Sequence, residues 1–154
     1  MPKQSAGILL FRRTGQGPEV LLVHPGGPFW SRRDDGAWTI PKGECQPGEE
    51  PLAAAMREFE EETGLRPQGA FMALGSFRQS SAKTISVWAV EGKFDPARLR
   101  SNTFSMEWPP RSGRMQDFPE VDRAGWFTLE AAARKIHKGQ APILATLLDR
   151  LGAD

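Results

Sequence analysis

Residues 43–65 read GECQPGEEPLAAAMREFEEETGL, and this stretch joins a loop to a helix. Its first part is rich in proline and glycine, which predicts a loop from Pro41 to Pro51. A helix is predicted over 51–63, because proline suits the first turn of a helix and Gly64 is a natural stop. The side chains of its inward face recur at helical spacing and are Leu52, Met56, Phe59 and Thr63.

Three acidic side chains share one side of this helix. Glu58 and Glu62 are four residues apart and Glu61 is three from Glu58, whereas Glu60 points elsewhere. Like charges this close raise one another's pKa unless a cation neutralises them, and Arg57 can offset only one of them. Carboxylate oxygens are the ligands that Mg²⁺ and Mn²⁺ prefer, so a metal site is predicted, with a solvated acidic face as the alternative.

The loop before the helix favours the metal site over that alternative. The segments Pro41-Lys42-Gly43-Glu44 and Pro47-Gly48-Glu49 form a tight turn directly before the acidic helix. Such a loop can bring a backbone carbonyl and amide groups beside the carboxylates. A metal ion together with a phosphate suits this combination.

The same stretch resembles the Nudix box, the signature of the Nudix hydrolase family. Gly43, Glu49 and the run from Arg57 to Leu65, REFEEETGL, stand at the spacing of that box. Every constrained position matches, and Phe59 is a mild departure because an aliphatic residue is more usual there. Chance agreement at nine positions of ordinary frequency is expected less than about once in a billion starts.

The resemblance implies an α/β fold, namely an α/β/α sandwich with a mixed β-sheet between helices, and a single Nudix domain over residues 1–154. It also implies a hydrolase that cleaves a phosphoanhydride bond with Mg²⁺ or Mn²⁺ as the cofactor. Arg57 and Glu49 are implied to orient the metal-binding cluster. The implied metal ligands are Glu58, Glu61, Glu62 and the carbonyl of Gly43 or Lys42.

The general base is either a box glutamate or an acid outside the box. Glu120 is the outside candidate, because it precedes Trp126 and its strand by six residues, where family members often carry a further metal-binding acid. An ordinary loop acid is the alternative for Glu120. Weaker candidates for the same role are Glu107, Asp117 and Asp122.

The approach to the box suggests a substrate. Residues 38–43, WTIPKG, are similar to the W-x-x-P-K-G segment of the dinucleoside-polyphosphate branch of the family, which implies substrate contacts at Trp38 and Lys42. A surface lysine is the alternative for Lys42. That branch commonly stacks adenine on tyrosine, and this chain has no tyrosine. The rings left for stacking are His24, Phe29, Trp30, Phe104 and Trp108.

Three further substrate contacts are predicted outside the box. His24 ends a strand beside a Pro-Gly-Gly turn, where it lines the pocket or serves as a structural histidine. Arg111 and Arg114 follow Trp108 in a segment whose aromatic ring and cations suit a base and phosphates. A rigid surface lid is the alternative for that segment.

Outside the box, hydrophobic patterns predict six strands and two helices. The strand at 5–12 is apolar on both alternating faces, which predicts a central position in the sheet. Residues 94–119 show little periodicity and resemble a long loop with one helical turn near 95–99, and a loop of this length in a compact domain is either functional or misassigned. The strands are predicted at 5–12, 19–24, 37–40, 70–79, 83–91 and 125–128, and the helices at 128–137, capped by Thr128, and 142–151.

Composition restricts the partners. Apolar residues make up 39% of the chain and charged residues 25%, as in globular proteins. The net charge of +1 gives no global field for nucleic acid or a membrane, so neither partner is expected. The family resemblance implies a small-molecule nucleotide substrate. Cys45 is the only cysteine, which excludes an intramolecular disulfide. No apolar segment suits a signal peptide or membrane span, so a cytoplasmic location is expected, and the oligomeric state stays open.

Three classes of function remain. The leading hypothesis is hydrolysis of a dinucleoside polyphosphate such as diadenosine tetraphosphate, with a nucleoside triphosphate or nucleotide sugar as the alternative substrate. The second is a catalytically inactive nucleotide-binding Nudix module, but such modules are expected to have lost box acids that are all present here. The third is a decapping-like enzyme on RNA ends, against which the near-neutral charge argues.

Overall fold

The computed structural model describes residues 3–152, which form eight strands, three α-helices and two 3-10 turns. The strands are β1 Lys3–Thr14, β2 Gly17–Pro25, β3 Lys42–Glu44, β4 Met72–Ser80, β5 Lys83–Glu91, β6 Thr103–Glu107, β7 Met115–Pro119 and β8 Val121–Thr128. The helices are α1 Pro51–Thr63, α2 Leu129–Lys135 and α3 Ala141–Gly152, and the 3-10 turns are Pro96–Arg98 and Lys138–Gln140.

Six of these strands form a mixed sheet in the order β4-β5-β1-β2-β8, with β3 beside β1. β1 runs parallel to β5, and the other pairs are antiparallel. Since β5 occupies one edge of β1, β2 and β3 share the other edge, where β2 pairs with 11–14 and β3 with 5–7. The start of the box loop, β3, therefore lies beside the first part of β1, at the edge that β2 leaves free.

Helices cover both faces of this sheet. Neighbouring side chains of β1 point to opposite faces, so Ile8 joins one hydrophobic cluster and Leu9 joins the other. The first cluster includes the α1 residues Ala54, Ala55 and Phe59. The second includes Ala132 and Ile136 at α2 and Ile143, Leu144 and Leu147 of α3. The predicted α/β/α sandwich with a mixed sheet and a central β1 is confirmed.

The strand predicted at 37–40 is wrong. Only isolated bridges occur there, from Thr39 to Val23 and from Trp38 to Ile136. The chain crosses the end of β2 at this point and pairs with β1 a few residues later, as β3. A short strand thus lies inside the segment that was predicted to be a loop, because pairing with β1 straightens Lys42–Glu44 between the prolines.

The long loop predicted over 94–119 is also wrong. β6 and β7 pair there as an antiparallel hairpin, with Thr103 opposite Pro119 and Glu107 opposite Met115. Both strands have five residues and largely exposed side chains, so no apolar run identifies them. The helical turn predicted near 95–99 is observed as the 3-10 turn Pro96–Arg98.

The ends and faces of the helices match the sequence prediction with small differences. Thr128 caps α2 by accepting a hydrogen bond from the Ala131 N–H, and α2 ends at Lys135, before the predicted end at 137. On α1, Ala54 and Ala55 are buried, whereas Leu52 is only partly buried. Leu148 of α3 is 52% exposed because it faces a shallow groove beside the β1–β2 turn. Within residues 3–152, no helix is long and apolar enough to cross a membrane.

Candidate active site

The box loop and α1 meet at Gly43. Gly43 pairs with Ala6 of β1, and the carboxylate of Glu58 on α1 lies directly against it. A Cβ atom at Gly43 would overlap that carboxylate, so glycine is the residue that permits this approach. The main chain of β3 and the acidic side of α1 consequently form one surface.

Arg57 connects that surface to the rest of the box. Its Nε and Nη2 donate to the two carboxylate oxygens of Glu49 at 2.9 and 3.0 Å, a bidentate pair. Its Nη1 donates to Glu58 at 2.9 Å and to Glu61 at 3.1 Å. The hydrogen bonds from Arg57, followed by one from the Gln46 N–H, lower the pKa of Glu49 to about 2. Arg57 therefore holds the loop acid and two helix acids in one arrangement.

Burial raises the pKa of three acids in this region. It raises the pKa of Glu62 to about 8, and the charges of Glu58 and Glu120 add to the effect. It also raises the pKa of Glu58, against the hydrogen bond from Arg57. The pKa of Glu120 is raised by burial and then by the charge of Glu61. Glu120 thus lies near the box acids, although it is remote from them in sequence.

The main chain of Asn102 links Glu120 to α1. The Asn102 N–H donates to the Glu61 carbonyl at 2.8 Å, and the Asn102 carbonyl accepts from the Glu120 N–H at 2.8 Å. The Glu120 carbonyl in turn accepts from the Gly26 N–H at 2.9 Å. These bonds tie the last turn of α1 to the chain that enters β8, which explains why the structure brings Glu120 to the box acids.

These residues fit the divalent metal that the Nudix resemblance implies. Within residues 3–152, no three acidic, histidine or cysteine side chains are close enough together to hold a metal ion as they stand, and Arg57 is bonded to both Glu58 and Glu61. The side-chain donors are carboxylate oxygens, and burial raises the pKa of Glu62 and Glu120, so a bound cation would offset the solvation that their ionised forms lack. Hard divalent cations bind such oxygen-rich clusters.

A cavity of about 310 Å³ opens beside the acids and is lined by both acidic and basic side chains. Glu62 and Glu120 are its acidic side chains, and Lys42 and Lys83 are its basic side chains. Trp30 and His137 add two rings to its wall. A cavity of this composition can accept a phosphate chain next to a metal-binding cluster.

Lys83 and His137 are residues of this cavity that the sequence prediction missed. Lys83 begins β5, and His137 follows α2, so no local motif connects either residue with the box. Their proximity arises from the sheet and from the His137 N–H, which donates to the Trp38 carbonyl at 2.7 Å. The periodic pattern of side chains within one helix or strand does not predict which residues of other elements lie beside it.

The predicted substrate contacts fall into two groups. Lys42 and Trp30 line the cavity, and the guanidinium of Arg33 lies 5.4 Å from the centre of the Trp30 ring. Arg111 and Arg114 lie outside it, exposed in the turn of the β6–β7 hairpin. This hairpin contacts the loop after β2, where the Phe29 and Trp108 rings meet edge to face at 5.7 Å.

His24 and Trp38 lie in the protein interior and do not line the cavity. His24 is fully buried, with Nδ1 2.8 Å from the Asp122 carboxylate and Nε2 2.6 Å from the Arg33 carbonyl. Trp38 is 6% exposed and donates its indole N–H to Asp34 at 2.8 Å. The structural alternative therefore replaces the prediction of direct substrate contact for His24, and Trp38 is likewise corrected to a core residue.

A model of the NUDIX domain matches residues 1–147, and the chain belongs to the Nudix family. Over 50 residues it is 48% identical to an RNA pyrophosphohydrolase from Francisella tularensis, a match that covers 32% of each protein. Over 53 residues it is 51% identical to an RNA pyrophosphohydrolase from Roseobacter denitrificans, which covers 32% of this chain and 33% of the relative. The matched part spans about a third of the length of these curated relatives.

Solved structures share the fold over nearly the whole chain. The C. elegans Ap4A hydrolase binary complex has a TM-score of 0.69 at 21% identity, covering 97% of this chain and 99% of that one. The NUDIX domain of Shewanella oneidensis NrtR complexed with ADP ribose has a TM-score of 0.68 at 15% identity, covering 98% and 89%. The family and its pyrophosphohydrolase members support the predicted class, a hydrolase of pyrophosphate bonds.

Proposed function

We propose that this protein is a metal-dependent hydrolase that cleaves a phosphoanhydride bond in a dinucleoside polyphosphate such as diadenosine tetraphosphate. The observation that carries the proposal is the meeting of the box acids with Glu120 beside a cavity that also contains Lys42. Among solved structures, the similarity to C. elegans Ap4A hydrolase supports the choice of substrate.

Glu58, Glu61 and Glu62 are proposed to hold Mg²⁺ or Mn²⁺, with the Gly43 carbonyl as a further ligand; Glu120 would join them as a ligand only if a box glutamate were the general base. When bound, the divalent cation supplies the positive charge that cleavage of a phosphoanhydride requires. Arg57 orients Glu58 and Glu61 through the hydrogen bonds already present, and Glu49 holds Arg57 in place. Gly43 keeps β3 close enough to Glu58 for the two to act on one ligand.

Glu120 is proposed to be the general base. Glu58 and Glu61 are bonded to Arg57, whereas the Glu120 carboxylate has no hydrogen-bond partner within the described chain, residues 3–152. It lines the cavity, where it can accept a proton from the attacking water as the water oxygen bonds to phosphorus. The bond from phosphorus to the bridging oxygen then breaks, and the second nucleotide leaves with that oxygen.

Lys42 is proposed to bind the phosphate chain, and Trp30 to contact a base, since both line the cavity. Lys83 adds a second cation to the same wall. Arg111 and Arg114 are proposed to reach a longer substrate from the hairpin, because the hairpin contacts the loop that carries Trp30. The absence of tyrosine leaves Trp30, Phe29 and Trp108 as the stacking surfaces.

RNA with a 5′ pyrophosphate group is a second candidate substrate, favoured by the RNA pyrophosphohydrolases among the relatives. The net charge of +1 argues against it, because an RNA chain requires a sustained cationic surface. A nucleoside triphosphate or nucleotide sugar would use the same acids. It would make fewer contacts beyond Lys42 than a dinucleoside polyphosphate does.

A substrate panel tests the proposal. Diadenosine tetraphosphate, ATP, ADP-ribose and a 5′-triphosphorylated RNA are each incubated with the protein and Mg²⁺ or Mn²⁺, with a chelator as the control. Preferred, metal-dependent cleavage of diadenosine tetraphosphate supports the proposal. Preferred cleavage of another compound overturns the substrate and keeps the chemistry, and binding of nucleotides without any cleavage favours the inactive module.

A further inference from the structure

Only one of the two ring nitrogens of His137 is used in a hydrogen bond within the described residues. The Gly139 N–H donates to His137 Nδ1 at 3.0 Å, a bond that caps the 3-10 turn Lys138–Gln140. An N–H donor requires the lone pair of Nδ1, so the neutral ring carries its proton on Nε2. Within residues 3–152, Nε2 forms no hydrogen bond, and the half-buried ring lines the cavity.

The surroundings of His137 keep this ring uncharged. Burial lowers its pKa, and the charges of Lys42 and Lys83 lower it further. The ring consequently has a single N–H to offer, in a cavity wall that already contains two ammonium groups. An anionic oxygen satisfies this N–H donor and both cations together.

We infer that His137 is a substrate-binding residue that donates its Nε2–H to a phosphate oxygen of the nucleotide, between the charges of Lys42 and Lys83. This inference rests on the proposed function, since it assigns a contact for the polyphosphate of the same substrate. The lysines attract the phosphate chain from any direction, whereas the imidazole N–H donates to a phosphate oxygen in one direction only. His137 therefore positions a phosphate that the lysines attract.

Two substitutions separate this role from the capping role. In His137→Asn, the amide oxygen can accept the Gly139 N–H in place of Nδ1, but no donor extends to the position of Nε2. In His137→Gln, the amide nitrogen extends to the position of Nε2, but the cap is lost. The two variants thus each keep one of the two hydrogen bonds and lose the other.

Calorimetric binding of ADP without added metal measures the contact independently of turnover. We expect His137→Asn to bind ADP about tenfold more weakly at an unchanged Tm. We expect His137→Gln to bind within about twofold of wild type, with a Tm lowered by about 5 °C through loss of the cap. The reverse pattern, or wild-type protein that binds no ADP, overturns the inference.

Steady-state kinetics then distinguish this inference from the proposed function. On a hydrolysed substrate, His137→Asn should raise KM about tenfold and leave kcat nearly unchanged, because the contact is made before the reaction. Absence of turnover by wild type, with the expected ADP affinities retained, contradicts the proposed function alone. Normal turnover with equal ADP affinities in all three proteins contradicts the His137 contact alone.

Discussion

The carboxylate of Glu58 occupies the space that a side chain at Gly43 would need. This relationship joins the loop and the helix of the box, because β3 is held to β1 on one side and approaches α1 on the other. The main chain of Gly43 lies outside the left-handed region, so its requirement for glycine is one of space. The acidic cluster consequently depends on a residue that has no side chain.

Substitution of Gly43 by alanine should move Glu58 and impair hydrolysis. We expect kcat/KM to fall about tenfold to a hundredfold, because the metal-binding acids lose their arrangement. Gly15→Ala is the matched control, since nothing lies within 4 Å of a Cβ placed there. Equal activity of Gly43→Ala and Gly15→Ala would show that hydrolysis does not require the close approach of Gly43 to Glu58.

Replacement of Arg57 by lysine keeps the charge and removes the bidentate contact with Glu49. We expect kcat to fall about tenfold or more, with a smaller change in KM, because a lysine ammonium at this position cannot hold Glu49, Glu58 and Glu61 together. Arg98→Lys, at an exposed arginine outside the cluster, is the control. An Arg57→Lys enzyme with wild-type kcat would contradict the orienting role.

The stability of the metal-free protein should fall as the pH rises from about 5 to 8. Burial raises the pKa of Glu62 from an ordinary 4.5 to about 8, so in this window the folded state keeps a proton that the unfolded state has lost. The free energy of unfolding therefore decreases with pH, by at most about 1.4 kcal/mol per pH unit for one group.

Denaturant unfolding at several pH values, in the presence of a chelator, measures this dependence. The free energy of unfolding of Glu62→Gln should depend less on pH over the same range. The difference between the slopes of the variant and the wild type is the contribution of Glu62. Saturating Mg²⁺ should weaken the dependence, because a bound cation favours the ionised carboxylate. Identical slopes for wild type and Glu62→Gln would refute the assigned burial effect.

His24 should matter for stability and much less for substrate affinity. In His24→Leu, the Arg33 carbonyl loses this donor and the Asp122 carboxylate keeps the 3.5 Å contact with Arg123, and we expect a loss of about 2–4 kcal/mol in the free energy of unfolding. Denaturant unfolding and KM are measured on the same preparation. A raised KM at unchanged stability would indicate that His24 contacts the substrate after all.

The parts of the candidate site whose positions follow from the sequence share a local origin. The acidic side of α1 follows from the spacing of Glu58, Glu61 and Glu62 along one helix. The family resemblance placed Glu120 beside them, and a main-chain path through Asn102 explains its position. These features depend on one element or on a known motif.

The incorrect predictions depend on how separate elements meet. His24 and Trp38 point into the core because of the pairing of β2 with β8 and the bridge from Thr39 to Val23, which no single segment specifies. The β6–β7 hairpin consists of short, mostly exposed strands without an apolar run. Lys83 and His137 meet across the cavity only after the sheet has formed.

We propose a catalytic metal that is held by the acidic side of α1. Its most direct test is the initial rate of diadenosine tetraphosphate hydrolysis with Mg²⁺ for wild type, Glu61→Gln and Glu60→Gln. Glu60 lies on the same helix but is exposed and outside the cluster. We predict a chelator-sensitive rate that falls about a hundredfold or more in Glu61→Gln and stays within about twofold in Glu60→Gln. Equal rates for Glu61→Gln and wild type, or hydrolysis that persists in the chelator, would contradict it.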